Sequence, residues 1–218
     1  SEACGINDRT EININSTIPV GRGLGSSAAL SIAIARAKKL TNIREIANKC
    51  EKFIHGNPSG IDVNQVLSDT PLLFSKKDGA IPLDFNLDSY LLIIDTGVIG
   101  ITKETLKHIK QNFEYYKSYI DELGEITEKV IEPLKKKAIE IVGAYMYKAH
   151  DLLQKLGVSH ESNDDVVNIC KNNGALGAKL TGGGAGGCCI ALSKTKENAE
   201  KIQNELAKKG YKSWIVTV

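Results

Sequence analysis

Pro19-Val20-Gly21-Arg22-Gly23-Leu24-Gly25-Ser26-Ser27-Ala28-Ala29 is the stretch that decides how the rest of this chain is read. Glycines at alternate positions run into two serines and then into a helix-like segment. Residues without a Cβ let backbone N–H groups approach phosphate oxygens, and the helix N-terminus behind them favours an anion. The spacing excludes two commoner nucleotide loops. A dinucleotide fingerprint needs glycine three residues after Gly23, where Ser26 stands, and a Walker A loop needs Gly-Lys before its Ser or Thr.

Outward from this loop the periodicities alternate between strand and helix. Glu11-Ile12-Asn13-Ile14-Asn15 has the two-residue period of a half-buried strand, leading into the loop. Ser26 or Ser27 is expected to cap a helix from Ala28 to about Leu40, and a second helix is expected from Asn42 to about His55. Gly56-Asn57-Pro58-Ser59-Gly60 breaks it. Tyr90-Leu91-Leu92-Ile93-Ile94 reads as a buried strand ending at Asp95-Thr96-Gly97. A charge-rich helical region follows from about Lys103 to Leu156, with Pro133 and Gly143 as interruptions. Asp164 to Asn172 and Thr195 to Lys209 read as helices. Ala178-Lys179-Leu180, Cys188 to Leu192 and Tyr211 to Val218 read as strands. Strands mixed with segregated helices predict an α+β fold, with a boundary between two lobes near residues 84–90.

Composition removes several classes of function. The 218 residues suffice for one large domain or two small ones. A net charge of +2 is too near balance to point to nucleic acid, and a solvated helix face accounts for Lys135-Lys136-Lys137. Cys4, Cys50, Cys170, Cys188 and Cys189 contain no C-x-x-C pair, and their odd number fits reduced thiols in the cytoplasm. Cys188 and Cys189 lie in an apolar run and read as packing residues rather than a catalytic thiol. No apolar run approaches the roughly 18 residues of a membrane span.

Two further segments carry chemistry. Glu51 stands on a predicted helix and Asp62 just past the tight turn, eleven positions on. Magnesium takes a few protein oxygens together with phosphate oxygens, so Glu51 and a loop serine could hold it while Asp62 acts on a substrate hydroxyl. The plainer alternative is that both are solvated surface carboxylates. The run Lys179-Leu180-Thr181-Gly182-Gly183-Gly184-Ala185-Gly186-Gly187-Cys188 is entropically costly for a plain hairpin, and close backbone approach to a ligand or another loop explains it better. His55 and His150 lack metal-ligand spacing and read as structural or supporting groups. A serine-hydrolase reading of Ser26 or Ser27 fails because the G-x-S-x-G elbow is absent.

In this order the three segments resemble the GHMP small-molecule kinases. His55-Gly56-Asn57-Pro58-Ser59-Gly60-Ile61-Asp62 resembles, more narrowly, the mevalonate kinases within them. So do Asp95-Thr96-Gly97 with Thr102-Lys103, and Leu156-Gly157-Val158-Ser159-His160 with His150 upstream. The resemblance implies a ribosomal-S5-like N-terminal lobe over residues 1–86, here incomplete, a ferredoxin-like C-terminal lobe over 87–218, and a site between them. It implies transfer of the γ-phosphoryl group of ATP to an alcohol, the 5-hydroxyl of mevalonate, with Mg2+. Gly21, Arg22, Gly23, Leu24, Gly25, Ser26 and Ser27 would bind the nucleotide phosphates, and Ser26 or Ser27 with Glu51 the magnesium. Asp62 would be the catalytic carboxylate. Ser59, Thr102, Thr181, Gly182, Gly183 and Gly184 would line the site or touch substrate. The partner expected is a small molecule, with no nucleic acid or membrane, and a homodimer stays open. Family members carry a Lys-x-x-x-x-Gly-Glu-His motif upstream of the phosphate loop. The chain starts a short strand before Pro19, so the expectation is a kinase lacking its N-terminal part. Another GHMP kinase acting on phosphomevalonate, homoserine or a sugar, a non-catalytic ATP-binding module, and an interaction protein with purely structural glycine loops are the alternatives.

Overall fold

The apolar run beginning at Tyr90 forms strand β3 (Tyr90–Asp95), around which the larger of two units is built. The computed structural model describes residues 11–56, 58–100 and 102–218, apart from the side chains of 102–106. Cys4 and Asn57 therefore lie outside the described residues. The smaller unit contains Gly25–Asp84 and the described residues up to Val20, and the larger contains Gly21–Leu24 and Phe85–Val218.

In the smaller unit, α1 (Ser26–Ala37) and α2 (Ile43–His55) pack together and against α3 (Ile61–Val66). Ala28 and Ile32 meet Ala47 and Val63 in a small core. Small residues on α1 let the helices approach closely, which brings the N-terminus of α1 near the start of α3. A hairpin follows, β1 (Leu72–Ser75) paired antiparallel with β2 (Gly79–Pro82). Glu11 to Asn15, expected as a strand, forms none. All five residues are exposed, and among the described residues no strand pairs with them, so their ladder groups find no sheet partner there.

In the larger unit the sheet order is β4-β5-β3-β6, with β4 (Gly177–Leu180), β5 (Cys188–Ser193) and β6 (Lys212–Thr217), every pair antiparallel. Leu92, Ile94, Leu180 and Ala191 face one side, where Val166 and Cys170 of α8 (Glu161–Asn172) and Ile202 and Leu206 of α9 (Lys196–Lys208) cover them. The glycine run Gly182–Gly187 lies between β4 and β5, at the end of the sheet where β3 ends in Asp95. The fold is α+β, as the sequence predicts.

The long helical region is α4 (Thr102–Gln111), α5 (Phe113–Lys129), α6 (Ile131–Lys135) and α7 (Ile139–Lys155). Pro133 interrupts it as expected. α5 ends at Lys129, whose carbonyl a proline four residues on cannot serve, and Pro133 itself sits in the first turn of the new helix α6, where helix N–H groups lack intrahelical partners anyway. Gly143 does not interrupt it, because α7 runs straight through. Its role is contact. A Cβ there would collide with the Leu176 carbonyl oxygen, and one on Gly177 would collide with the Gly143 oxygen. Helix and strand thus touch backbone to backbone.

Gly143→Ala improves helix propensity by about 1 kcal/mol but forces α7 off the segment leading into β4. Overpacking of this kind costs roughly 1–3 kcal/mol, and the obstacle here is backbone that cannot rotate away. The expected result is a lower thermal midpoint, by several degrees, in a calorimetric scan. An unchanged or raised midpoint would contradict the close approach.

Candidate functional site

The glycine loop is built from left-handed residues. Gly21, Gly23 and Gly25 have φ of 73°, 74° and 65°. Gly25 is itself the N-cap of α1, and no side chain caps the helix. The capping expected of Ser26 or Ser27 is thus replaced by a left-handed glycine. Both serines fall in the first turn, and neither hydroxyl caps the helix.

In the smaller unit the packing of α1 on α2 sets Ser27 Oγ 3.3 Å from His55 Nε2, and that nitrogen 3.6 Å from Glu51 Oε2. Glu51 is only 3% exposed, and its Oε1 has no hydrogen-bond partner. Asp62, in the first turn of α3, lies against the glycine loop. A Cβ on Gly25 would meet the Asp62 Cβ at 3.6 Å and Oδ1 at 3.7 Å. Ser59 Oγ accepts the Ile61 N–H at 3.3 Å and so helps start α3. The structure therefore brings Ser27 and Glu51 together through His55, and sets Asp62 beside Gly25.

A divalent cation fits the first of these groupings. Glu51 offers an orphaned, buried carboxylate oxygen and Ser27 a hydroxyl, both hard donors. Among the described residues no three His, Cys, Asp or Glu side chains cluster as a complete protein cage.

In the larger unit Gly21–Leu24 packs on the second glycine run. A Cβ on Gly23 would lie 3.2 Å from Gly182 Cα and 3.5 Å from the Thr181 oxygen. The Cys188 N–H donates to the Arg22 oxygen at 3.1 Å, and the Gly100 N–H to the Gly21 oxygen at 3.3 Å. The Arg22 side chain turns to the protein. Its Nε is 3.0 Å from Asp95 Oδ1, and its Nη2 donates to the Gly97 oxygen at 2.9 Å. Sequence reasoning grouped Arg22 with the phosphate contacts and missed this pairing. A carboxylate closing an apolar strand was the available signal. Gly182 and Gly183 are exposed, Gly184 is buried, and a Cβ on Gly184 would collide with the Val158 oxygen. Thr181 is half-buried, its N–H donating to the Cys188 oxygen. Thr102 opens α4, and its side chain is outside the described residues.

Behind the second run sits His150, 2% exposed on α7. Its Nδ1 accepts the Leu180 N–H at 3.4 Å, and its Nε2 lies 3.2 Å from Asp164 Oδ1, out of hydrogen-bond alignment. Burial holds its pKa below the ordinary histidine value, outweighing the pull of Asp164. A group whose folded pKa is depressed contributes stability that is full above its unfolded pKa and lost as pH falls through the folded one. Urea stability should therefore decline from about pH 6.5 downward, and His150→Gln should flatten that part of the profile. Identical slopes for the two proteins would refute this assignment. Burial also pushes Cys188 up to about 12 and Cys189 up to about 11, so both are neutral core thiols.

Comparison with known proteins covers most of the chain. Residues 1–68 match the family model for the GHMP kinases N terminal domain, and residues 130–212 that for GHMP kinases C terminal. The mevalonate kinase of Thermococcus sibiricus is 34% identical over 204 residues, covering 86% of this chain and 61% of that enzyme. The Arabidopsis thaliana mevalonate kinase is 30% identical over 245 residues, covering 98% and 64%. Among solved structures, L. major mevalonate kinase in complex with R-mevalonate superposes with a TM-score of 0.78 at 28% identity, covering 88% of this chain and 65% of that one. The chain thus spans less than two thirds of the length of each of these relatives. No described helix is long and apolar enough to cross a membrane.

Proposed function

This chain belongs to the GHMP kinase family, and on that premise we propose that it transfers the γ-phosphoryl group of ATP to the 5-hydroxyl of mevalonate. The observation that carries this reading is the placement of Asp62. Its carboxylate lies against Gly25, the residue at which the glycine loop becomes helix α1. A nucleotide phosphate at that helix start has a carboxylate beside it, ready to accept or orient a hydroxyl proton. The mevalonate kinases among the relatives, one of them solved with R-mevalonate, support the choice of acceptor.

In this reading the backbone N–H groups of Gly21–Ser27 hold the phosphates. Ser27, or Ser26 beside it, and Glu51 hold Mg2+, which neutralises phosphate charge when bound. Arg22 acts through Asp95, fixing the loop rather than meeting phosphate with its side chain. Gly182–Gly184 and Thr181 support the loop, and Ser59 shapes the start of α3. Catalysis then rests on positioning and fixed charge, with little covalent chemistry asked of the protein. The reading implies a cytoplasmic enzyme of isoprenoid and lipid metabolism with a small-molecule partner, alone or as a homodimer.

The test is ATP turnover with magnesium, offering mevalonate, phosphomevalonate, homoserine and galactose separately. It is run for this chain and for the chain extended by a relative's N-terminal segment. Turnover confined to mevalonate is the expected result. Turnover on another acceptor moves the assignment within the family. ATP binding without turnover in both forms overturns it in favour of a non-catalytic module.

A further inference from the structure

Asn163 is fully buried on α8 and has no part in the chemistry above, yet it holds one residue of the second glycine run from both sides. Its Nδ2 donates to the Gly186 oxygen at 2.9 Å, and its Oδ1 accepts the Gly186 N–H at 3.0 Å. One side-chain amide thus satisfies both backbone groups of one residue. Nδ2 also lies 3.3 Å from Cys189 Sγ. Gly186 has φ of 111°, and a Cβ there would stand 2.8 Å from Val98 Cγ1. The peptide is therefore gripped between Asn163 and Val98 in a conformation that favours glycine.

The grip reaches the first glycine loop within two residues. The Gly187 N–H donates to the Val98 oxygen at 2.8 Å, and the Gly187 oxygen accepts Thr96 Oγ1 at 2.6 Å. A Cβ on Gly187 would lie 3.0 Å from the Arg22 oxygen, the same atom that accepts the Cys188 N–H. We infer that Asn163 is a positioning residue for the phosphate loop, acting through Gly186–Cys188 on the backbone of Gly21–Leu24. The inference rests on the nucleotide-binding reading proposed above. Removing the amide leaves a buried N–H and a buried C=O unpaired, and the loop relaxes to satisfy them.

Two substitutions in the whole chain test it, read by ATP titration and by amide hydrogen exchange. Asn163→Ala is expected to weaken ATP binding about tenfold or more, the equivalent of one buried hydrogen bond. It should also speed exchange at residues 21–24 and 186–188, while α9 and β6 keep their wild-type protection. A fold defect would speed exchange everywhere instead and would count against a positioning role. Asn163→Asp adds a rescue arm. Its neutral carboxyl can replace both bonds to Gly186, giving up only the contact to Cys189 Sγ, but the ionised form sets a negative oxygen against the Gly186 carbonyl. Its ATP affinity should approach wild type at low pH and fall as pH rises. Wild type run in parallel subtracts the titration of the nearby His150, Asp164 and Cys189. ATP affinity within twofold of wild type for both variants, with no selective change at 21–24, overturns the inference. Should wild type fail to bind ATP, the nucleotide reading fails on its own, and the exchange pattern alone decides whether Asn163 sets the loop.

Discussion

Asp62→Ala is expected to lower phosphoryl transfer by roughly 10²–10⁴-fold, the range lost with a positioned proton acceptor, while leaving ATP binding intact. The two halves of that expectation come from different features. Loss of transfer follows from the carboxylate's position beside Gly25, where the loop becomes α1. Retained binding follows from the proposed role of the loop, in which backbone groups meet the phosphates and the substitution leaves them in place. Removing a negative charge near a polyphosphate should, if anything, tighten ATP. The fold has little to lose, since Asp62 is exposed and alanine is a better helix former in α3. An unchanged thermal midpoint, a normal ATP titration and a coupled assay near background form the expected set. Wild-type turnover in the variant removes Asp62 from the mechanism. Lost ATP binding would make it a structural support of the loop instead.

What the sequence made legible divides by the range of the interaction. α2, β3 and α9 were readable because each carries its own period and its own ends. Thr195, for example, caps α9 by accepting the Asn198 N–H. The β1–β2 hairpin went unread although Asp78-Gly79 between apolar runs is a strong turn signal, with Ser75 Oγ accepting the Asp78 N–H. Glu11 to Asn15 shows the opposite failure. Its alternation is real, but alternation gives a strand only where a partner supplies hydrogen bonds. Gly143 was misread because sequence records a missing side chain without recording what approaches it. The site divides in the same way. The residue types of the glycine loop, Glu51 and Asp62 were visible as local motifs. The pairing of Arg22 with Asp95 and Gly97, and the hold of Asn163 on Gly186, join residues far apart in the chain, and no local period encodes them.

Gly182→Ala should weaken ATP binding about tenfold or more and cost a comparable share of stability, for two separable reasons. Gly182 has φ of 72°, and a side chain in that left-handed region costs roughly 1–2 kcal/mol. Its Cβ would also stand 2.9 Å from Gly23 Cα and 3.0 Å from the Gly23 oxygen, so the added methyl pushes on the first glycine loop itself. Both obstacles are backbone, which cannot rotate aside. Gly210→Ala separates the two effects. Gly210 has φ of 86°, but an added methyl there would meet nothing within 4 Å, so that variant carries backbone strain alone. Both substitutions should lower the thermal midpoint, and only Gly182→Ala should shift the ATP titration. If the two variants bind ATP equally well, contact between the glycine runs does not set the loop. A shift for Gly182→Ala alone, at a midpoint no lower than that of Gly210→Ala, assigns the lost affinity to displacement of Gly23 rather than to general destabilisation.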